Sequence, residues 1–314
     1  MVAELESFFG DLDLSKLRVE KPSRFVFLCG GTIRADDSTT VDSLRDYLYR
    51  IRPLSKYLQG SIVRAEAANQ LYRDTKLGYT DLISFEEDIA RIAAVVVVIA
   101  ESNGSLAELG AFASNETIRK ALRVIIQTKH STDESFIRYG PVERIKNDGD
   151  GYVGVYPWRT HSEGNIIVSS AHPHAKEIVK FIKRHLDAAR KSEMFDVNSH
   201  KVYVIYWIVY ICMAVSLRSL TTLVQKLVPG ITEQAIINLL YCMKIAGWVD
   251  SEEYSGKKYY FVCWDKDPFL YSFKEGITDV DSVRRKYRSR AALAEAEDLP
   301  KHIRTVAMTR RAVP

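Results

Sequence analysis

Short runs of β-branched and apolar residues recur along the first half of the chain, at 25–28, 61–65, 95–99 and 123–127, and stretches of mixed polar and apolar character separate them. The run Val95-Val96-Val97-Val98-Ile99 has no polar alternate, the pattern of a parallel strand buried on both faces. Between the runs, apolar spacing predicts helices at about 41–52, 84–92 and 105–121. Alternation of this kind predicts an α/β fold, with a parallel sheet flanked by helices. The run 166–169 reads as a further strand, and 176–191 as a helix with a basic face. Glu86, Glu87 and Asp88 read as acids in the first turn of the helix at 84–92, where they favour the positive end of the dipole. Around 192–200 the chain turns polar, which marks a boundary.

Beyond that boundary the rhythm changes. An uninterrupted apolar stretch from Val202 to Val215 ends at Ser216 and Arg218. Its 14 residues are too few to span a bilayer as a helix and read instead as a buried core helix. A second helix at 219–228, a Pro229-Gly230 turn, and a third helix at 232–246 follow. Two strands at 248–251 and 258–262 then flank Glu252-Glu253-Tyr254-Ser255-Gly256, the pattern of three helices and a wing. The third helix, which in DNA-binding modules of this shape enters the major groove, carries Glu233, Gln234, Asn238 and Lys244. That is a weakly basic set, so contact with protein or with an irregular nucleic acid is as good a reading as duplex recognition.

Charge changes the picture at one end. Residues 284–314 hold nine Lys or Arg against three Asp or Glu, whereas the preceding 283 hold 35 against 37, so the formal +4 of the 314-residue chain is a property of its tail. Arg284, Arg285, Lys286, Arg288 and Arg290 surround Tyr287, a combination suited to phosphates and a stacked base. The bland alternative is a solvated charge run. A hydrophobic content of 46% allows two cores. The four cysteines are scattered with no C-x-x-C pair, so neither a disulfide framework nor a zinc site is indicated. His172-Pro173-His174 reads as a helix-entry turn. The amino terminus shows no secretory or transit pattern, and a cytoplasmic location without membrane attachment is expected.

Candidate chemistry concentrates after the most apolar strand. Ser102, Asn103, Gly104 and Ser105 are small enough for a ligand to approach the backbone, and a helix beginning near Ser105 would place Glu108 one turn inside it, at the sheet edge where α/β proteins bind ligands. Ser105 and Glu108 also have the spacing of a capping box, in which the glutamate only folds back on the backbone. Both readings stay open from spacing. A second glycine loop, Cys29-Gly30-Gly31, ends the first strand. Glu66 lies beyond the second strand, and Tyr156 and Trp158 lie in a glycine-rich segment that either lids a pocket or simply packs.

Leu28-Cys29-Gly30-Gly31, Glu101-Ser102-x-Gly104-Ser105-x-x-Glu108-Leu109-Gly110-Ala111-Phe112 and Tyr139-Gly140-Pro141-Val142 resemble the effector proteins of type II retrons. The resemblance runs in order along most of the chain and is densest over 25–146. It implies a Rossmann-like, nucleoside deoxyribosyltransferase-like domain over 24–195 after an N-terminal extension of 1–23. A smaller winged-helix-like domain at 196–275 and a basic tail at 276–314 would follow. It further implies a toxin of an anti-phage defence system, an N-glycosidase with Glu108 as nucleophile toward an anomeric carbon. NAD is the first substrate to consider, because nicotinamide departs from a cationic state and needs little acid assistance. Cys29, Gly30, Gly31, Glu66, Ser102, Asn103, Gly104 and Ser105 would bind substrate, with no cofactor and no metal. The implied partners are the retron reverse transcriptase and its msDNA, the branched RNA-linked single-stranded DNA, in an oligomeric assembly. Ala94 stands where related sequences carry an aspartate, which alters the expected substrate contacts. The rival reading is a non-catalytic, nucleotide-sensing DNA-binding regulator.

Overall fold

The computed structural model describes residues 2–36, 39–56, 58, 61–66, 79, 81–189, 192–277 and 299–310. The basic cluster Arg284, Arg285, Lys286, Arg288 and Arg290 lies outside the described residues. The chain forms two compact units. One comprises the described parts of Arg24–Lys76 and Thr80–Ala189, the other those of Met1–Ser23, Leu77–Tyr79 and Arg190–Pro314.

The first unit is an α/β domain around a five-stranded parallel sheet. Its strands lie in the order Ser61–Arg64, Phe25–Cys29, Val95–Ala100, Leu122–Gln127, Val153–Tyr156. The two central strands pair from Val26 with Val95 to Cys29 with Val98. Both are buried at every position, as their unbroken apolar runs require. The chain reverses its direction of winding between these two strands. Their carboxyl ends therefore flank the crevice where ligands bind in open α/β sheets.

Side-chain alternation divides the two faces. Val26 and Leu28 pack with Leu44, Tyr47, Leu48, Ile178 and Ile182, from the helical segments Leu44–Ile51 and Ala175–Ala188. Phe27 turns the other way and meets Phe112 of the helix Asn103–Ser114, with ring centroids 6.5 Å apart. Cys29, two residues on, shares that second face.

Four local expectations are corrected. Residues 166–169 are not a strand: Val168–Ala171 is a helical turn, and Ile166 makes an isolated bridge to Thr160. The fifth strand is Val153–Tyr156, paired with Leu122–Gln127. Gly154 permits it, because a β-carbon there would sit 2.9 Å from Tyr156 and 3.4 Å from Phe181 of the covering helix. Trp158, just beyond, is 2% exposed and belongs to the core, not to a lid. The helix expected over 105–121 is two, Asn103–Ser114 and Glu116–Ala121, because the Asn115 side chain accepts from the Thr117 and Ile118 amides and starts a new helix. The helix expected from 84 begins at Leu82, capped by Asp81 through the Ser84 amide at 2.8 Å.

One carboxylate ties the crevice together. Glu101, directly after the Val95–Ala100 strand, accepts hydrogen bonds from the backbone N–H groups of Gly31 (3.0 Å), Leu44 (2.6 Å) and Arg45 (3.0 Å). It thereby satisfies two of the orphan donors at the start of the Leu44–Ile51 helical segment and fastens the glycine loop to it. Arg45 is fully buried, and its guanidinium donates to the carbonyls of Gly31 (2.8 Å) and Leu28 (3.1 Å). Gly30 and Gly31 are glycines for this reason. A β-carbon at Gly31 would meet Ser43 at 2.6 Å and Glu101 at 3.1 Å, and one at Gly30 would meet Arg45 at 3.0 Å and Ile99 at 3.2 Å.

The second unit is built on the helix Lys201–Cys212, buried at every position except Lys201 and Tyr210. Among the described residues no helix is long and apolar enough to cross a membrane. Helices Leu217–Leu227 and Glu233–Ile245 pack around it. A three-stranded antiparallel sheet adjoins them, in the order Ala214–Ser216, Lys257–Val262, Val249–Tyr254. The hairpin turns through Ser255 and Gly256, both at positive φ. The helix Lys301–Thr309 buries Ile303 and Ala307 against Ala214, Tyr259 and Phe261. Residues 18–20 form the central strand of a second antiparallel sheet, between Phe269–Leu270 and Ser192–Met194.

Replacing Glu101 by Ala is expected to cost about 3–5 kcal/mol, since it leaves three partly or fully buried N–H groups without an acceptor. Glu101→Gln, which keeps one acceptor oxygen, should fall between. Urea denaturation followed by circular dichroism measures both, and an unchanged midpoint for Glu101→Ala would show that the clamp is dispensable.

Candidate active site

Glu108 is the sixth residue of the helix Asn103–Ser114, which starts two positions before Ser105. The capping box is made by Ser102 and Ser105. Ser102 accepts from the Ser105 amide at 3.2 Å, and the Ser105 hydroxyl accepts from the Ser102 amide at 2.9 Å and the Glu101 amide at 3.1 Å. Glu108 takes no part in the cap, which removes the bland reading of its position.

Its surroundings are those of a carboxyl group held away from water. One carboxylate oxygen is buried with no hydrogen-bond partner. Burial, reinforced by the negative charge of Glu86, pushes the Glu108 pKa up to about 7, and the nearby Arg45 guanidinium and Cys29 thiol oppose the shift. Cys29 is fully buried, and burial followed by the charge of Glu108 drives its thiol pKa well up. This cysteine is a neutral neighbour and not a thiolate nucleophile.

Sequence alone puts Glu86 among three acids in a helix's first turn. With the helix starting at Leu82 it lies beyond that turn, on the inward side next to Phe85, Ile89 and Ala90. It is 7% exposed, and burial raises its pKa to about 7. Asp88 instead pairs with Arg91 at 3.3 Å. The available signal was the apolar stripe Phe85, Ile89, Ile92, which places Glu86 at the edge of a buried face.

The other expected residues distribute as follows. Asn103 and Gly104 are exposed at the first helical positions, where an α-helix leaves N–H groups unsatisfied internally. A β-carbon at Gly104 would have Ser102 Oγ as its nearest neighbour, at 3.9 Å, so this position is open. Ser102 is half-buried and Ser105 buried, their hydroxyls committed to the cap. Gly30 and Gly31 belong to the Arg45 and Glu101 clamp, and the Gly31 amide is taken by Glu101. Glu66 is exposed and forms an ion pair with Arg45, which brings the end of a third strand to the same crevice. Arg45 itself carried no sequence signal, since its role depends on a cavity behind the sheet edge. Among the described residues no group of three His, Cys, Asp or Glu is placed to hold a metal ion.

The model of the STM3845 retron effector protein family matches residues 41–251. The chain belongs to this family. The "Retron Ec73 putative ribosyltransferase/DNA-binding protein" of Escherichia coli is 25% identical over 265 residues, 78% of this chain and 81% of that protein. The "Retron Ec86 putative ribosyltransferase/DNA-binding protein" of the same species is 31% identical over 121 residues, 38% of this chain. That second match spans 37% of the relative's own length. The retron effector described here thus shares family with proteins named for both glycosyl transfer and DNA binding.

Because Glu86 and Glu108 have folded pKa values near 7 and unfolded values near 4.5, the folded effector retains protons between those pH values that the unfolded chain has lost. Their contribution to stability is most favourable below about pH 4.5 and is lost as pH rises through 7. Glu86→Gln removes one such group and the repulsion of the other. Relative to wild type, it should gain stability on going from pH 5 to pH 8, by about 1–2 kcal/mol. Thermal melts of both proteins across that range test this, and parallel pH profiles would show that Glu86 is not the strained acid.

Proposed function

We propose that this retron effector is an N-glycosidase that cleaves the glycosidic bond of a nucleotide, NAD first among the candidates, with Glu108 as nucleophile. The observation that carries this reading is the buried, partnerless oxygen of Glu108 at the switch-point crevice, beside a second strained carboxyl group. Neither capping nor a structural ion pair accounts for such a group. The ribosyltransferase names of the two relatives support the same chemistry.

In this reaction the Glu108 carboxylate attacks the anomeric carbon as the bond from that carbon to the base nitrogen breaks, and the base leaves with the bonding pair. For NAD the pyridinium becomes neutral nicotinamide without protonation. Water then cleaves the glycosyl ester, yielding the free sugar and restoring Glu108. Desolvation favours the step, since an attacking carboxylate stripped of water gains stabilisation when charge moves toward an oxocarbenium-like centre. Asn103 and Gly104, with their helix-terminal N–H groups, are suited to a phosphate or ribose hydroxyl. The roles of Cys29, Gly30, Gly31, Ser102 and Ser105 in this reading are mainly to shape the backbone that the substrate meets.

The family further supports an anti-phage defence role in which the effector associates with the retron's reverse transcriptase and msDNA. We read the helix Glu233–Ile245 and the hairpin beside it as a winged helix, a reading that the DNA-binding names of the relatives support. Its charge fits protein or irregular nucleic acid better than a duplex groove. Lys244 is paired with Asp250 at 3.0 Å, Gln234 bonds Asn238 at 3.0 Å, and Arg310 engages Asp250 at 2.7 Å. The basic cluster at 284–290 is the proposed phosphate contact of the tail.

Glu108→Gln should lower base release by at least a thousandfold while leaving folding intact. Incubating wild type and variant with NAD and a panel of nucleotides, and separating free base by chromatography, checks this. Because only ionised Glu108 attacks, the wild-type rate should climb as pH rises through about 7, and Glu86→Gln should move that rise to lower pH. Full activity in Glu108→Gln would overturn the assignment of Glu108 as nucleophile, and no base release by wild type would leave the non-catalytic regulator as the better reading.

A further inference from the structure

The α/β unit carries a second feature, on the face of the sheet opposite Glu108. Lys176, Lys180 and Lys183 stand at i, i+4 and i+7 on the helix Ala175–Ala188, a spacing that aligns them in one exposed stripe. With Arg52, His172 and Pro173 they line a groove of about 490 Å³, whose floor is Ala175 and Val179. Ala175 and Val179 are buried core residues, so the floor is apolar and rigid.

The cationic wall is ordered. The Arg52 guanidinium lies 3.3 Å from Nε2 and 3.4 Å from Nδ1 of His172, and the Tyr47 hydroxyl bonds Nδ1 at 2.8 Å. Counter-charge is sparse. Glu177 pairs with Lys180 at 2.9 Å, whereas among the described residues Lys176 and Lys183 form no ion pair. A concentration of positive charge of this kind lowers stability by self-repulsion unless a polyanion neutralises it.

We propose that this groove is a binding site for single-stranded nucleic acid, separate from the basic cluster at 284–290 and from the Glu108 crevice. Its parts match what such a ligand presents. Phosphates engage the lysine stripe and Arg52, while an unpaired base lies on the apolar floor against the imidazole of His172. A duplex keeps its bases stacked inside and could not use the floor, and a groove of this volume accommodates about one or two nucleotides. The proposal does not depend on glycosidase chemistry, because no residue of the groove belongs to the Glu108 site.

The test uses the full chain and a fluorescently labelled 20-residue oligothymidylate, with anisotropy titrations between 50 and 300 mM salt. Lys176→Glu/Lys180→Glu/Lys183→Glu should weaken binding at least tenfold at the low-salt end. It should also reduce the slope of log affinity against log salt by about 2, the value for three phosphate contacts to a single strand. The corresponding triple Gln variant should give a smaller loss in the same direction. All three lysines are exposed, and a circular dichroism melt matching wild type verifies folding. Equal affinity and slope in wild type and variants would overturn the proposal and leave nucleic-acid binding to other parts of the chain. Equal wild-type affinity for thymidine monophosphate, or for a 20-base-pair duplex, would overturn the single-strand assignment.

Discussion

The carboxylate of Glu101 is the joint on which the crevice is built. It leaves the central strand, turns back, and accepts three backbone N–H groups from two other segments, Gly31 on the glycine loop and Leu44 and Arg45 at a helix start. Burial pushes its pKa upward, while these three hydrogen bonds and the Arg45 charge pull it back. The helix start also supplies partial positive charge, so an anion there is favoured twice over. With the clamp in place, the carboxyl ends of the Phe25–Cys29 and Val95–Ala100 strands stand at a set separation. The helix carrying Glu108 then begins in a defined direction.

That geometry creates an electrostatic imbalance. Arg45 is a buried cation whose donors are directed to the Gly31 and Leu28 carbonyls and to Glu66. Glu86 and Glu108 are both poorly solvated, and that cation only partly compensates Glu108. Two carboxyl groups with pKa values near neutrality are costly in a folded protein, and such strain is concentrated where groups are kept for chemistry. The structural acid Glu101 and the proposed nucleophile Glu108 lie seven positions apart, about two helical turns. Three amide donors distinguish the first from the second.

The second unit solves a different problem. A helix buried on nearly all sides, Lys201–Cys212, needs a shell, and the shell is assembled from both ends of the described chain. Val2–Gly10 places Phe8 on Trp207 with ring centroids 5.7 Å apart, and the Lys301–Thr309 helix covers the antiparallel sheet. The amino-terminal residues are therefore a working part of this core. The region 276–314 is not uniformly a tail, since Arg310 closes on Asp250 and Glu252.

Periodicity along the chain was enough for the α/β class, for four of the five parallel strands, and for the helix–hairpin order of the second half, because strands buried on both faces need unbroken apolar runs. It was also enough to single out Glu108, an acid placed by a short loop after the most buried strand. Tertiary structure decided the rest. Val153–Tyr156 became the fifth strand in place of 166–169, because strand formation there depends on an open edge beside Leu122–Gln127 and on Gly154 admitting Phe181. Glu86 became a partner of Glu108, and Gly30 and Gly31 became packing glycines, through contacts between segments distant in sequence. Local spacing states which face of an element is apolar, but the identity of the group opposite that face, and hence the charge and solvation a side chain meets there, exists only once the chain is folded.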